Sequence, residues 1–229
     1  MNLKTINLKD VLNKFFGALC IVAIVTFSAC KKDEPDPVPT VKEYIGSAEC
    51  ATCHAETYAS FMKTGHPYKL NEVDGAAPAY PYSSVPEVPT GYSWSDISYV
   101  IGGYNRKARF VDQDGYIITG DDVQYNLANQ GWVGYHSDEA PGTKPYDCGK
   151  CHTTGWKHID DGGTPQNGME GMYGQFSEGG IHCEACNGEG NIHAVTESAS
   201  DINVDTSSEL CGSCHYRNED HSIGIKICN

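Results

Sequence analysis

Three pentapeptides in this 229-residue chain pair two thiols with an adjacent imidazole: Cys50-Ala-Thr-Cys53-His54, Cys148-Gly-Lys-Cys151-His152 and Cys211-Gly-Ser-Cys214-His215. Thiols at this spacing add to the two vinyl groups of a haem, and the histidine that follows places an imidazole on the iron. A fourth copy, Cys183-Glu-Ala-Cys186-Asn187, has the thiols but an asparagine in the histidine's place. Chance would give roughly half a Cys-x-x-Cys pair in such a composition, and almost never one followed by histidine. Cys148–His152 lies at the centre of the pattern.

Two other chemistries use paired cysteines. Four pairs can build two zinc ribbons, because tetrahedral zinc accepts thiolate and imidazole, or they can form disulfides in an exported protein. Neither requires histidine directly after the second cysteine. Covalent haem does, and three to four haem c groups are the expectation from the motif count.

The N-terminus reads as an address. Lys4, Lys9 and Lys14 precede an apolar run, Phe15 to Phe27, that is too short to span a bilayer as a mature helix. Phe27-Ser28-Ala29-Cys30 resembles a bacterial lipobox, which makes residues 1–29 a lipoprotein signal peptide and Cys30 the lipidated first residue of the mature chain. An ordinary secretory signal cut near Ala29 is the alternative, and both readings export the protein. Residues 30–43, with Pro35, Pro37 and Pro39 among acids, read as an extended tether, and 44–229 as the haem-bearing domain. The expected location is therefore the bacterial cell envelope, on a lipid anchor, periplasmic or at the outer membrane.

The chain has 16 basic and 30 acidic residues and a net charge of -14. Losing residues 1–29 removes Lys4, Lys9, Lys14 and Asp10 and leaves 13 basic against 29 acidic side chains. Such a field argues against nucleic acid and favours redox partners with a basic docking face. Keeping an exported protein soluble is the simpler use of the same charge.

Helix formers surround the first motif, from Ala48 to Lys63, before Gly65 ends the run. His66 follows, twelve positions after His54, which is about 18 Å along a continuous helix, whereas two axial nitrogens on one iron lie only about 4 Å apart. His66 is thus expected to serve a different iron from His54. Residues 71–92 read as an irregular loop packed through aromatic residues. Residues 99–104 and 107–111 alternate as strands, and Asp114-Gly115 marks a turn before 116–119, so a small β-hairpin insert without cysteine or histidine is expected there. Arg106, Lys107 and Arg109 make the one basic cluster of the mature chain, either a seat for haem propionates or a solvated strand face. His136 is a weaker candidate ligand, His158 reads as surface, Trp156 is placed to cover a haem edge, and Met169 and Met172 are the alternatives to histidine as axial ligands.

The segment from Ile181-His182-Cys183-Glu184-Ala185-Cys186 through Gly188-x-Gly190 to His193 resembles the third haem segment of multihaem (tetrahaem) cytochromes c of the cytochrome c-554-like family. Those are electron carriers serving hydroxylamine oxidoreductase in nitrifying bacteria. Tyr44 to Cys50, Thr64 to Pro67 and Cys151 to Trp156 belong to the same likeness, which covers most of residues 44–218 in scattered motifs. It implies a mostly α and coil fold wrapped around closely stacked haems, mainly with two histidine ligands each. By this likeness His182 and His193 ligate neighbouring haems, unless one of them serves the iron at Cys183 and Cys186.

Asn187 departs from the family, which has histidine there. Either haem is attached with an abnormal or vacant proximal side, or that haem is lost, or the sequence is in error. Family members also continue beyond His221 and the unpaired Cys228, so the last haem's cover and the role of His221 as a ligand are open at this stage.

Nine histidines, less three proximal ones at His54, His152 and His215, leave six for the second axial positions. The expectation is an exported multihaem c-type cytochrome that relays electrons, since a haem with both axial positions filled changes oxidation state with little ligand rearrangement. The rival is an enzyme acting on nitrogen oxyanions or hydroxylamine at an open iron near Cys183 and Cys186.

Overall fold

The computed structural model describes residues 37–215. Cys30, His221 and Cys228 lie outside the described residues, as do the signal peptide and most of the tether.

Five strands form one antiparallel sheet in the order β1-β2-β3-β4-β5: β1 Leu70–Glu72, β2 Ile97–Gly102, β3 Lys107–Asp112, β4 Gly120–Asn126 and β5 Gly131–Tyr135. Side chains alternate between the faces of a strand, and here both faces are covered. Tyr99 and Ile101 of β2 point into one core with Leu70, Val111, Ile117, Tyr146 and Met172. Val100 points into a second core with Val85, Ala108, Phe110, Ile118 and Tyr125, closed by the aromatic loop between β1 and β2 through Tyr80 and Trp94. A strand buried on both faces reads as a nearly continuous apolar run, which is what Ile97–Gly102 is.

The expectation of a mostly α and coil chain with a small hairpin is corrected by this sheet. The Asp114-Gly115 turn forms, with Asp112 Oδ1 accepting from the Asp114 and Tyr116 amides at 3.0 and 2.9 Å. Beyond the turn, the Tyr116 carbonyl accepts from the Asp112 amide and the Phe110 carbonyl from the Ile118 amide, each at 2.9 Å, around the isolated Val111–Ile117 bridge, and the next full strand begins at Gly120. β4 and β5 escaped the sequence reading because Gly-Asp-Asp and Gly-Trp-Val-Gly carry little alternation. The pairing of β4 with β5 and their aromatic contact, Tyr125 edge-on to Trp132 at 5.4 Å, override that weak local preference.

Short helices carry the cysteine motifs outside the sheet: α1 Ser47–Cys53, α2 Ala55–Phe61, α3 Gly149–His152, α4 Cys183–Asn187, α5 Asn191–Thr196 and α6 Ser208–His215. The run expected as helix over residues 48–63 breaks at His54, whose backbone has left helical geometry (φ -113°, ψ 39°). Two-stranded ladders, β6 Thr153–Thr154 with β9 Glu178–Gly179 and β7 Lys157–His158 with β8 Gly174–Gln175, hold the second motif to the glycine-rich stretch after it. Among the described residues no helix is long and apolar enough to cross a membrane.

Phe110 is completely buried between Trp94 and Trp132, so Phe110→Ala should lower unfolding stability by about 3–5 kcal/mol. Tyr82→Ala, at a largely exposed ring, should change it by less than about 0.5 kcal/mol in the same denaturant titration.

Candidate cofactor-binding site

Each motif occupies a helix so short that its two cysteines and the residue after them cluster on one turn. The motifs then meet in pairs. α1 packs on α4 and α3 on α6. Burial and, next, the adjacent Cys183 thiol raise the Cys50 pKa to about 11. Burial and then the Cys214 thiol raise that of Cys151 to about 12, and Cys214 Sγ also lies 3.8 Å from the Lys150 carbonyl oxygen. Cys186 is raised by burial and then by its neighbour Cys211.

The imidazoles pair in a similar way. His54 lies parallel to His193, with ring centroids 6.2 Å apart and planes 14° apart. His215 faces His66 with centroids 6.0 Å apart and planes at 84°. With about 2 Å from iron to each nitrogen and about 1 Å from nitrogen to ring centre, two imidazoles on one iron have centroids about 6 Å apart. Each pair joins a motif histidine to one that is distant in sequence. The centroid spacing of each pair equals that of two imidazoles on one iron.

Several rings are also fixed in the orientation a metal ligand needs. Nδ1 of His152 lies 3.0 Å from the Lys69 carbonyl, and Nδ1 of His193 lies 3.0 Å from that of Ser198. A carbonyl only accepts, so each Nδ1 donates and each Nε2 keeps its lone pair. Burial holds His152 neutral, its pKa lowered to about 4 against a raising contribution from the Lys69 carbonyl. His182 Nδ1 meets Ser47 Oγ at 2.9 Å, and Ser47 Oγ in turn donates to Glu178 at 2.5 Å.

His152 and His182 line one cavity of about 590 Å³ together with His66, His215, Cys148, Cys151, Cys186, Cys211 and Cys214. That volume is in the range of about 300–1,000 Å³ typical of ligand and cofactor pockets. Trp156 forms part of its wall, stacked on Phe176 and pressed onto Gly149 so closely that a Cβ there would lie 1.9 Å from the indole. The glycine inside Cys148-Gly149-Lys150-Cys151 is thus required by the indole, a link the spacing of the motif alone does not reveal.

Other candidates lie elsewhere. His136 sits beyond β5 in the left-handed region (φ 47°), with Nδ1 2.8 Å from Glu139. His158 Nε2 lies 3.3 Å from Asp147. Met172 is wholly buried in the core, and Met169 packs against the same cluster beside Gly115. Arg109 is folded over the Tyr135 ring at 4.1 Å with its Nε donating to Gln124, whereas Arg106 and Lys107 face solvent. Cys148 is disulfide-bonded, and the other seven described cysteines are free thiols. A thioether at Cys148 requires that disulfide to be opened first.

Glu184 was not singled out by sequence reasoning beyond its place in the third motif. It is 3% exposed, and its carboxylate accepts from the amides of Ile45 (3.1 Å), Gly46 (2.8 Å) and Gly190 (2.8 Å). It ties the entry to α1 and the turn before α5 onto α4. The same two segments carry His54 and His193, whose rings pair.

No family model and no curated protein matches the chain. Among solved structures it is similar to the undecahaem cytochrome from the S-layer of Carboxydothermus ferrireducens, at 25% identity and a TM-score of 0.57, over 85% of this chain and 29% of that one. It is also similar in fold to the outer cell wall cytochrome OcwA, at 21% identity and a TM-score of 0.55, over 76% of this chain and 37% of that one.

Glu184→Ala leaves three amides without their acceptor and should cost about 3 kcal/mol or more, whereas Glu184→Gln, which keeps one oxygen acceptor, should cost less; urea unfolding midpoints rank the two. The chain, which spans about a third of each of these proteins, shares its fold with multihaem cytochromes.

Proposed function

We propose that this chain is a multihaem c-type cytochrome that relays electrons through haems held mainly between two histidines. The observation that carries the reading is the pair of imidazole couples, His54 with His193 and His66 with His215, each at one-iron spacing and each next to a Cys-x-x-Cys pair. When bound, haem supplies reversible one-electron chemistry between ferric and ferrous iron. The chain's own residues do the rest. The cysteines anchor, the carbonyls of Lys69 and Ser198 orient His152 and His193, and Trp156 with Phe176 closes the apolar wall.

His152 and His182, which face one cavity, are assigned as the third couple. The packing of α1 on α4 and of α3 on α6 brings the first motif beside the third and the second beside the fourth, which supports passage of electrons between neighbouring groups. Filled axial positions favour transfer over substrate binding at the three histidine-paired centres. The likeness to cytochromes of an S-layer and an outer cell wall supports an envelope location, and the acidic surface supports redox partners with a basic face. Anchoring through a lipid on Cys30 and kinship with the tetrahaem c-554-like carriers belong to the same proposal.

Protein matured in a strain that assembles c-type cytochromes should gain the mass of three or four haems, mapped by peptide to Cys50–His54, Cys148–His152 and Cys211–His215. Colourless protein retaining zinc or only disulfides overturns the reading. In ferric protein, His193→Ala and His66→Ala should each remove a different low-spin resonance, because the near-parallel and near-perpendicular ring pairs give irons of different symmetry. Loss of the same resonance, or of none, contradicts the pairing.

A further inference from the structure

His152 and His193 are oriented through their rings, by carbonyls that accept from Nδ1. His66 is placed through its main chain. It lies in the short connection between α2 and β1, whose two ends are drawn together by Tyr68: the phenol reaches back to donate to the Met62 carbonyl at 2.8 Å. The next carbonyl, that of Lys63, accepts from the hydroxyl of Tyr104 at 2.6 Å, across from the turn between β2 and β3. The His66 carbonyl itself accepts from the Ile181 amide at 3.0 Å, just ahead of the third motif.

The two phenols act as one unit. Their rings are stacked, with centroids 5.4 Å and planes 5° apart, and Gly65 lies so near that a Cβ there would come within 3.1 Å of the Tyr104 ring. The unit is also tied to the sheet. Tyr68 packs against Tyr80 at 5.6 Å, and the Tyr80 hydroxyl donates to the carbonyl of Gly102, the last residue of β2, at 3.0 Å. Asn71 of β1 donates from Nδ2 to the carbonyls of Tyr68 and Gly102 at 3.2 and 2.9 Å.

We propose that Tyr68 and Tyr104 are positioning residues for His66: by holding the Met62 and Lys63 carbonyls they make the five-stranded sheet set the place and ring angle of this axial ligand. This rests on the haem reading above, at the couple that includes the fourth motif's own His215. Without the two hydroxyls the connection is free to shift, and the near-perpendicular arrangement of the His66 and His215 rings shifts with it.

The test uses the full chain matured with haem. Tyr68→Phe and Tyr104→Phe each remove one hydroxyl and keep the stacked rings. In ferric protein each should shift the low-spin resonance that His66→Ala removes, and leave the one that His193→Ala removes where it is in the parent. Gly65→Ala, which presses a methyl group on the Tyr104 ring, should shift the same resonance. In the reduced double variant, carbon monoxide should displace His66 about tenfold faster than in the parent, the size that losing two ordinary hydrogen bonds gives. Tyr82→Phe, at a ring 69% exposed that meets Tyr104 edge-on, should change neither reading. Phenylalanine variants that lower the unfolding midpoint but leave the His66 resonance and carbon monoxide uptake as in the parent overturn this inference, and so does an equal shift of both resonances. The electron-relay reading stands in either case. Absence of haem from every motif defeats that reading as well.

Discussion

The structure depends on holding pairs of imidazoles apart at a fixed separation. Two rings with centroids about 6 Å apart gain little from each other across such a gap, so the separation has to be imposed by what surrounds them. Backbone carbonyls do this for His193 and His152, whose Nδ1 protons are claimed by Ser198 and Lys69. Lys69 immediately precedes β1, so the orientation of His152 is referred directly to the five-stranded sheet. The sheet thus serves as the base from which the position of the His152 ring is set.

That division explains why the chain combines so little helix in its motif regions with so well buried a sheet. Helices of four to eight residues are too short to be stable by themselves. Packing supplies what is missing: α1 lies on α4 and α3 on α6, and Cys148, at the start of α3, sits in the sheet's core with Leu70, Tyr146 and Trp156. The second Cys-x-x-Cys motif is therefore also part of the apolar interior.

What was legible in the sequence was local chemistry. Cys-x-x-Cys-His points to haem because the thiols and imidazole that the cofactor would use lie within five residues, and the departure at Asn187 was visible for the same reason. The partners of these motifs were not legible, since His54 with His193 and His66 with His215 are contacts across more than a hundred residues that no spacing rule encodes. The sheet was half seen. Ile97–Gly102 and Lys107–Asp112 alternate and were found, whereas β4 and β5 owe their form to pairing and to Tyr125 against Trp132, and a likeness to coil-rich cytochromes pulled the expected fold class away from β structure. Arg109 shows the same limit, as its place over Tyr135 depends on where β5 returns.

Glu184 has one more implication, for the order in which the protein takes shape. Its carboxylate gathers the amides of residues 45 and 46, made some 140 positions earlier, onto a helix near the far end of the chain. During synthesis from the N-terminus, Cys50 and Cys53 emerge long before the acid that seats them. The seat of the first motif closes around it only after most of the polypeptide has followed.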